Sequence, residues 1–173
     1  ILGPLTNPAN AKAQVLGVYD SKLVEPIANV LQKLGLEEAL VVHGVDGLDE
    51  ISVIGKTKIA WLRDGEVSTK EIFPKDLNLQ LAPANEISGF GVQENARLMI
   101  NILRGDEKQN SPRLQMVLAN AAAAILVSGK VDNLTSGIEI GKEAVANSSG
   151  YDKLRKLIKQ TGGDESKLES YNK

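Results

Sequence analysis

Apolar positions change period along the chain, and the changes mark its elements. Gln14 to Tyr19 alternates well enough for a strand. Leu23, Ile27, Val30, Leu31 and Leu34 then form a helical stripe, starting from a cap at Asp20 or Ser21 and stopped by Gly35. Pro26 is tolerated near the start of that helix. The run 39–43 is β-branched and too short for a helix, so it reads as a central strand. This β-α-β order predicts a right-handed crossover and parallel pairing. Lys58 to Arg63 and Val67 to Phe73 flank Asp64-Gly65-Glu66, a hairpin signal, so the sheet is mixed. Pro74 to Phe90 is expected to be mostly loop. Helical periods follow at Asn95 to Leu103, from Ser111-Pro112 to Gly129, at Thr135 to Asn147 and at Tyr151 to Gln160. Gly3, Pro4 and Pro8 speak against regular structure in the first thirteen residues. The expected fold is α/β: one domain over 1–173, with a mixed, mostly parallel central sheet flanked by helices.

The stretch from Val41 to Ser52 concentrates the candidate chemistry. A buried strand breaks at Gly44 and Gly47 and is followed by two adjacent acids, Asp49 and Glu50. In open α/β sheets, ligands bind beyond the carboxyl ends of strands. Paired carboxylates there are a candidate cation site, and Mg²⁺ suits them because it takes one or two carboxylates plus substrate phosphates. Neighbours on a regular strand point to opposite faces. Asp49 and Glu50 therefore share one ion only if the backbone leaves the strand, or else they serve two ions on a phosphate ligand. Taken alone, an Asp-Glu pair in a loop reads as solvated surface charge.

Composition narrows the classes. The chain has 173 residues, 42% hydrophobic and 24% charged, with a formal net charge of -2. That is ordinary globular composition, with no basic block or aromatic series for nucleic acid. No apolar run is long enough to cross a bilayer, so no membrane partner is expected. No cysteine is present, which excludes thiol chemistry and fits a reducing compartment; a cytoplasmic location is expected. A single histidine excludes a His-cluster metal site. The chain starts on an apolar pair without methionine and is expected to be a fragment or a processed piece.

Three stretches together carry a resemblance. Leu2-Gly3-Pro4-Leu5-Thr6-Asn7-Pro8-Ala9, then His43-Gly44 with Gly47-Leu48-Asp49-Glu50-Ile51-Ser52, then Asn120-Ala121-Ala122-Ala123 resemble, in order and spacing, anthranilate phosphoribosyltransferase. The resemblance covers the whole chain and about the second half of that family's sequence. It implies a nucleoside phosphorylase/phosphoribosyltransferase-like large domain and transfer of the phosphoribosyl group of PRPP to anthranilate in tryptophan synthesis. It puts Asp49 and Glu50 on the family's magnesium-binding acids. It also implies that a helical N-terminal half, through which the family forms homodimers, lies outside this chain. The family's glycine-rich phosphate loop, its Lys-His-Gly-Asn stretch and its anthranilate-binding arginine fall upstream of Leu2, so this chain alone is expected to be inactive. No catalytic or substrate-binding residue is assigned within it. Two other readings stand beside this one: a pyrimidine nucleoside phosphorylase-like enzyme, disfavoured because phosphorolysis does not require the acid pair, and a non-catalytic α/β binding or assembly module.

Other motifs have plainer readings. Gly3 to Pro8 is expected to brace an interdomain face rather than line an acceptor pocket. His43, at the end of a buried strand, is expected to be a hydrogen-bonded core residue rather than a general base. Thr161-Gly162-Gly163-Asp164 imitates a phosphate loop but follows a helix instead of a strand; Gly162 and Gly163 are expected to end that helix and Asp164 to cap a short final one. Lys153, Arg155, Lys156 and Lys159 read as a solvated face. Lys56 follows the acids within reach of a phosphate, but nothing singles it out.

Overall fold

The computed structural model describes residues 2–171. Strands β1 (Ala13–Gly17), β2 (Glu38–Gly44), β3 (Thr57–Arg63) and β4 (Glu66–Ile72) lie side by side in chain order. β1 and β2 are parallel, with Ala13 opposite Glu38 and Gly17 opposite Val42. The other two pairings are antiparallel. The sheet is mixed, as expected, but its parallel share is smaller than the sequence reading held. Parallel strands need a crossover, usually helical. Only the β1–β2 link carries one; residues 45–56 turn the chain back without a helix.

Seven helices surround the sheet among the described residues: α1 (Leu2–Leu5), α2 (Val24–Lys33), α3 (Val92–Arg104), α4 (Pro112–Val127), α5 (Leu134–Ala146), α6 (Ser149–Gln160) and α7 (Glu165–Glu169). The single turn α1 was not expected. Pro4 fits it because the first turn of a helix leaves its N–H groups free anyway. Asp20 caps a 3₁₀ turn, Ser21–Leu23, that leads into α2, its carboxylate accepting from Lys22 N at 2.9 Å. α3 begins at Val92, where the helical period sets in, three residues before Asn95. The Asn95 carboxamide pairs with both the N–H and the C=O of Phe90, each at 3.0 Å, and so fixes the turn before the helix. Ser111 caps α4 through Leu114 N at 3.2 Å, and Asn133 caps α5 through Ser136 N at 2.8 Å. The loop after β4 is irregular apart from two 3₁₀ turns, Pro74–Leu77 and Ala84–Glu86.

The core has two parts, one on each face of the sheet. Leu40, Val42 and Ile59 point to one face, where they meet Leu118, Ala119, Ala122 and Ile138 of α4 and α5. Ala39, Val41, Ala60 and Leu62 point to the other, against Val24, Ile27, Ala28 and Leu31 of α2. This is the two-residue period of a strand covered on both sides, which is why β2 reads as an unbroken apolar run. Each fully buried Leu or Val adds about 1.5–3 kcal/mol over its exposed state. Small residues set the spacing of the α4–α5 pair: a Cβ at Gly137 would lie 3.0 Å from the Cα and Cβ of Ala122. α4 can therefore lie flat between the sheet and α5.

Candidate functional site

β1 and β2 both end at the same edge of the molecule, and the loop leaving β2 folds back over that edge. Gly44 N donates to Leu48 O at 2.7 Å, and Gly47 N to Gly44 O at 2.9 Å. Gly47 holds a φ of +100°, the left-handed region open to glycine. Asp46 accepts a hydrogen bond from the Ser52 hydroxyl. The Ser52 hydroxyl also accepts from Ile54 N at 2.9 Å, and Ser52 N donates to the Thr57 hydroxyl at 2.9 Å. After Glu50 the chain plunges inward: Ile51, Ser52 and Val53 are buried. Asp49 and Glu50 thus stand exposed at the rim of a loop whose next three residues are fixed in the core.

Two contacts from elsewhere in the fold hold that rim. Gly17, the last residue of β1, faces the Asp49 main-chain carbonyl so closely that any Cβ would overlap it. On the other side the Asn120 carboxamide of α4 accepts from Ile51 N at 2.8 Å and donates to Ile51 O at 3.0 Å. Its remaining donor goes to Met116 O at 3.0 Å. Glu50, Asn120, Arg113, Met116, Leu98 and Ile87 line a mainly apolar groove of about 520 Å³. Arg113, one of the lining residues, stacks its guanidinium on Phe90, 4.6 Å from the ring centroid.

Glu50 is exposed as a residue but lines the groove, and its carboxyl is raised above the ordinary glutamate value, first because the groove partly desolvates it and second because the Asp49 charge repels its own. Among the described residues no three His, Cys, Asp or Glu side chains gather to hold a metal unaided. Two exposed carboxylates and no further protein ligand suit a hard divalent cation that keeps water and leans on phosphate oxygens. They do not suit a closed structural site.

The other motifs lie apart from the acids. Gly3 to Pro8 sits beside the C-terminal end of α2, where Pro4 to Asn7 share a cavity of about 520 Å³ with Leu31, Leu34 and Leu36. That is the amino end of β1, the end away from the acids. His43 is buried and its Nδ1 lies 2.7 Å from the Val18 carbonyl, so that nitrogen is the donor and the ring is a core residue, as expected. Lys56 is engaged by Glu71 at 2.8 Å. The glycine pair near the C-terminus ends α6, and Asp164 caps α7 by accepting from Ser166 N at 2.9 Å. The positive φ belongs to Gly162, not Gly163. Lys153, Arg155, Lys156 and Lys159 are exposed, and Arg155 pairs with Glu165 at 3.1 Å.

Sequence reasoning named Asn120 only as part of a resembling stretch and missed its hold on Ile51, and it missed the Asp46–Ser52 brace. Asn120 had left one sign: an amide set at the start of an alanine run, on a helix whose Ala119, Ala122 and Ala123 are buried. The brace is a loop device that left none.

The geometry has counterparts. An anthranilate phosphoribosyltransferase from Petrotoga mobilis is 43% identical over 161 residues, which is 93% of this chain and 46% of that protein. The solved anthranilate phosphoribosyltransferase of Thermus thermophilus superposes with a TM-score of 0.81 at 34% identity, over 91% of this chain and 45% of that one. The Saccharomyces cerevisiae enzyme, solved in complex with PRPP and Mg, gives a TM-score of 0.80 at 28% identity, over 89% of this chain and 44% of that one. The chain thus spans about half the length of the relatives that it matches. Residues 1–151 match the family model described as the glycosyl transferase family, a/b domain, and the chain belongs to that family.

Proposed function

We propose that this chain is the α/β portion of an anthranilate phosphoribosyltransferase. The whole enzyme would transfer the phosphoribosyl group of PRPP to anthranilate, giving N-(5-phosphoribosyl)anthranilate and pyrophosphate, in tryptophan biosynthesis. The observation that carries the reading is the placement of Asp49 and Glu50. They stand together at the carboxyl end of the parallel β1–β2 pair, on a loop held from both sides. Relatives of that name and a neighbour solved with PRPP and Mg support it.

Asp49 and Glu50 would hold Mg²⁺. When bound, Mg²⁺ offsets the charge that builds on the pyrophosphate leaving group. The chain's own part is to present two carboxylates in a fixed geometry and to keep the groove beside Glu50 mainly apolar. The remaining parts, a phosphate-holding loop, an acceptor pocket and a helical half that makes the homodimer, belong in this reading to sequence upstream of Leu2. The same reading places the enzyme in the cytoplasm.

The test is an assay of the purified chain with anthranilate, PRPP and Mg²⁺ beside a thermal melt. A cooperative melt without turnover is expected, because catalysis by positioning fails when half of the site is absent. Turnover close to that of a full-length relative would overturn the division of the site. In a full-length protein, Asp49→Asn and Glu50→Gln are expected to weaken the Mg²⁺-dependent use of PRPP with little change in fold. Unchanged kinetics in both variants would overturn the metal assignment.

A further inference from the structure

The geometry points to Asn120 as the positioning residue of the acid pair. This rests on the reading that Asp49 and Glu50 are the cation ligands. Asn120 is the first residue of the Asn-Ala-Ala-Ala stretch, 69 residues from the peptide that it grips. Its carboxamide spends every hydrogen-bonding group on main chain. It takes the N–H and the C=O of Ile51 and, with its second N–H, the carbonyl of Met116 in the preceding turn. Ile51 is fully buried and directly follows Glu50. A two-way pair with one residue holds the peptide planes on both sides of its α-carbon, the Glu50–Ile51 peptide among them, which a single bond cannot do. The flanking alanines make the grip possible: Ala119, Ala122 and Ala123 are fully buried and let α4 lie against the sheet beneath the loop. With Gly17 closing on Asp49 from β1, the two carboxylates are carried on main chain pinned at both ends. Asn120 touches no ligand in this assignment; it acts through Ile51 on where Glu50 can point.

The experiment compares Asn120→Leu, which keeps the volume and removes every hydrogen bond, with Asn120→Asp, which keeps an acceptor for Ile51 N–H and loses both donors. Leu118→Ala serves as a purely structural control. Amide exchange at Ile51 and paramagnetic broadening by Mn²⁺ around residues 49 and 50 are read by NMR on the purified chain. Asn120→Leu is expected to speed Ile51 exchange about tenfold, in line with the loss of a net hydrogen bond, and to weaken the Mn²⁺ effect several-fold. Asn120→Asp is expected to lie between it and the parent chain, and Leu118→Ala to lose stability without moving the Mn²⁺ response. Unchanged Ile51 exchange, or faster exchange with an unchanged Mn²⁺ titration, would overturn the assignment. Broadening that survives in an Asp49→Asn, Glu50→Gln double variant would overturn the metal reading and the role of Asn120 with it, by a result that the Asn120 variants themselves cannot produce.

Discussion

Gly17 and Asp49 meet where no side chain fits between them: the α-carbon of Gly17 lies against the Asp49 carbonyl, and a Cβ there would overlap it. Both partners of this contact are main chain, so neither can swing aside. Gly17→Ala must therefore move the acid loop or the end of β1. Overpacking of this kind costs about 1–3 kcal/mol. Chemical denaturation is expected to show that loss, with amide shift changes centred on residues 48–50 rather than on α2.

Glu50 makes the stability of the chain depend on pH in a definite direction. Its carboxyl is raised above the usual range by burial and then by Asp49. The folded chain therefore holds this proton more tightly than the unfolded chain does. The associated stability is complete below the unfolded carboxylate value and is lost as the pH rises through the higher folded one. Glu50→Gln is expected to melt at a higher temperature than the parent at pH 7 and to lose that advantage below about pH 4. Asp49→Asn is expected to move the Glu50 titration downward without returning it to the ordinary value, because burial is the larger cause. A carbon-detected NMR titration of the Glu50 carboxyl reads the second effect, and melts across pH read the first.

The glycines that end α6 differ in kind. Gly162 holds a φ of +72°, and alanine there is strained by backbone alone, at a cost of about 1 kcal/mol. Gly163 has no such φ; its Cβ would sit 3.0 Å from Ile158 Cγ2 and 3.1 Å from Ile158 O. Both alanine variants are expected to lower the melting temperature. Removing Cγ2 with Ile158→Ala is expected to shrink the cost of Gly163→Ala and leave that of Gly162→Ala unchanged. Differential scanning calorimetry of the three single and two double variants reads this pattern.

His43 is expected to behave as a structural residue. Replacing it with Phe keeps the bulk and leaves the Val18 carbonyl without its 2.7 Å partner. A loss of about 1–3 kcal/mol follows from one unsatisfied buried acceptor. The denaturation midpoint measures it, and nitrogen shifts of the parent ring are expected to show the proton on Nδ1.

Much of this fold was readable because its signals are local. The Asp64-Gly65 hairpin, the Ser111-Pro112 start of α4 and the Asp164 cap of α7 each depend on residues within a few positions. The acids were legible for the same reason: a strand, two glycines and a carboxylate pair stand in one short stretch. What stayed hidden depends on distance or compensation. The single turn α1 forms although its composition argues against it. The share of parallel pairing turned on residues 45–56, which carry no helical period and are held by the Asp46–Ser52 brace. The Asn120–Ile51 grip joins residues 69 apart, and no local pattern announces which residue's main chain a helical asparagine will seize.

The borders of the sheet are unequal, and the difference gives it a direction of growth. β4 closes one border and places Glu66, Lys70 and Glu71 along it, charges that discourage a further strand. β1 forms the other with Ala13, Gln14, Val15, Leu16 and Gly17, none of them charged, and its outer side meets no strand among the described residues. The β1 border is thus the less guarded of the two. Any strand added there would bring one of its own ends next to Gly17, at the rim where Asp49 stands. Widening this sheet and furnishing the neighbourhood of its acids are, geometrically, a single event.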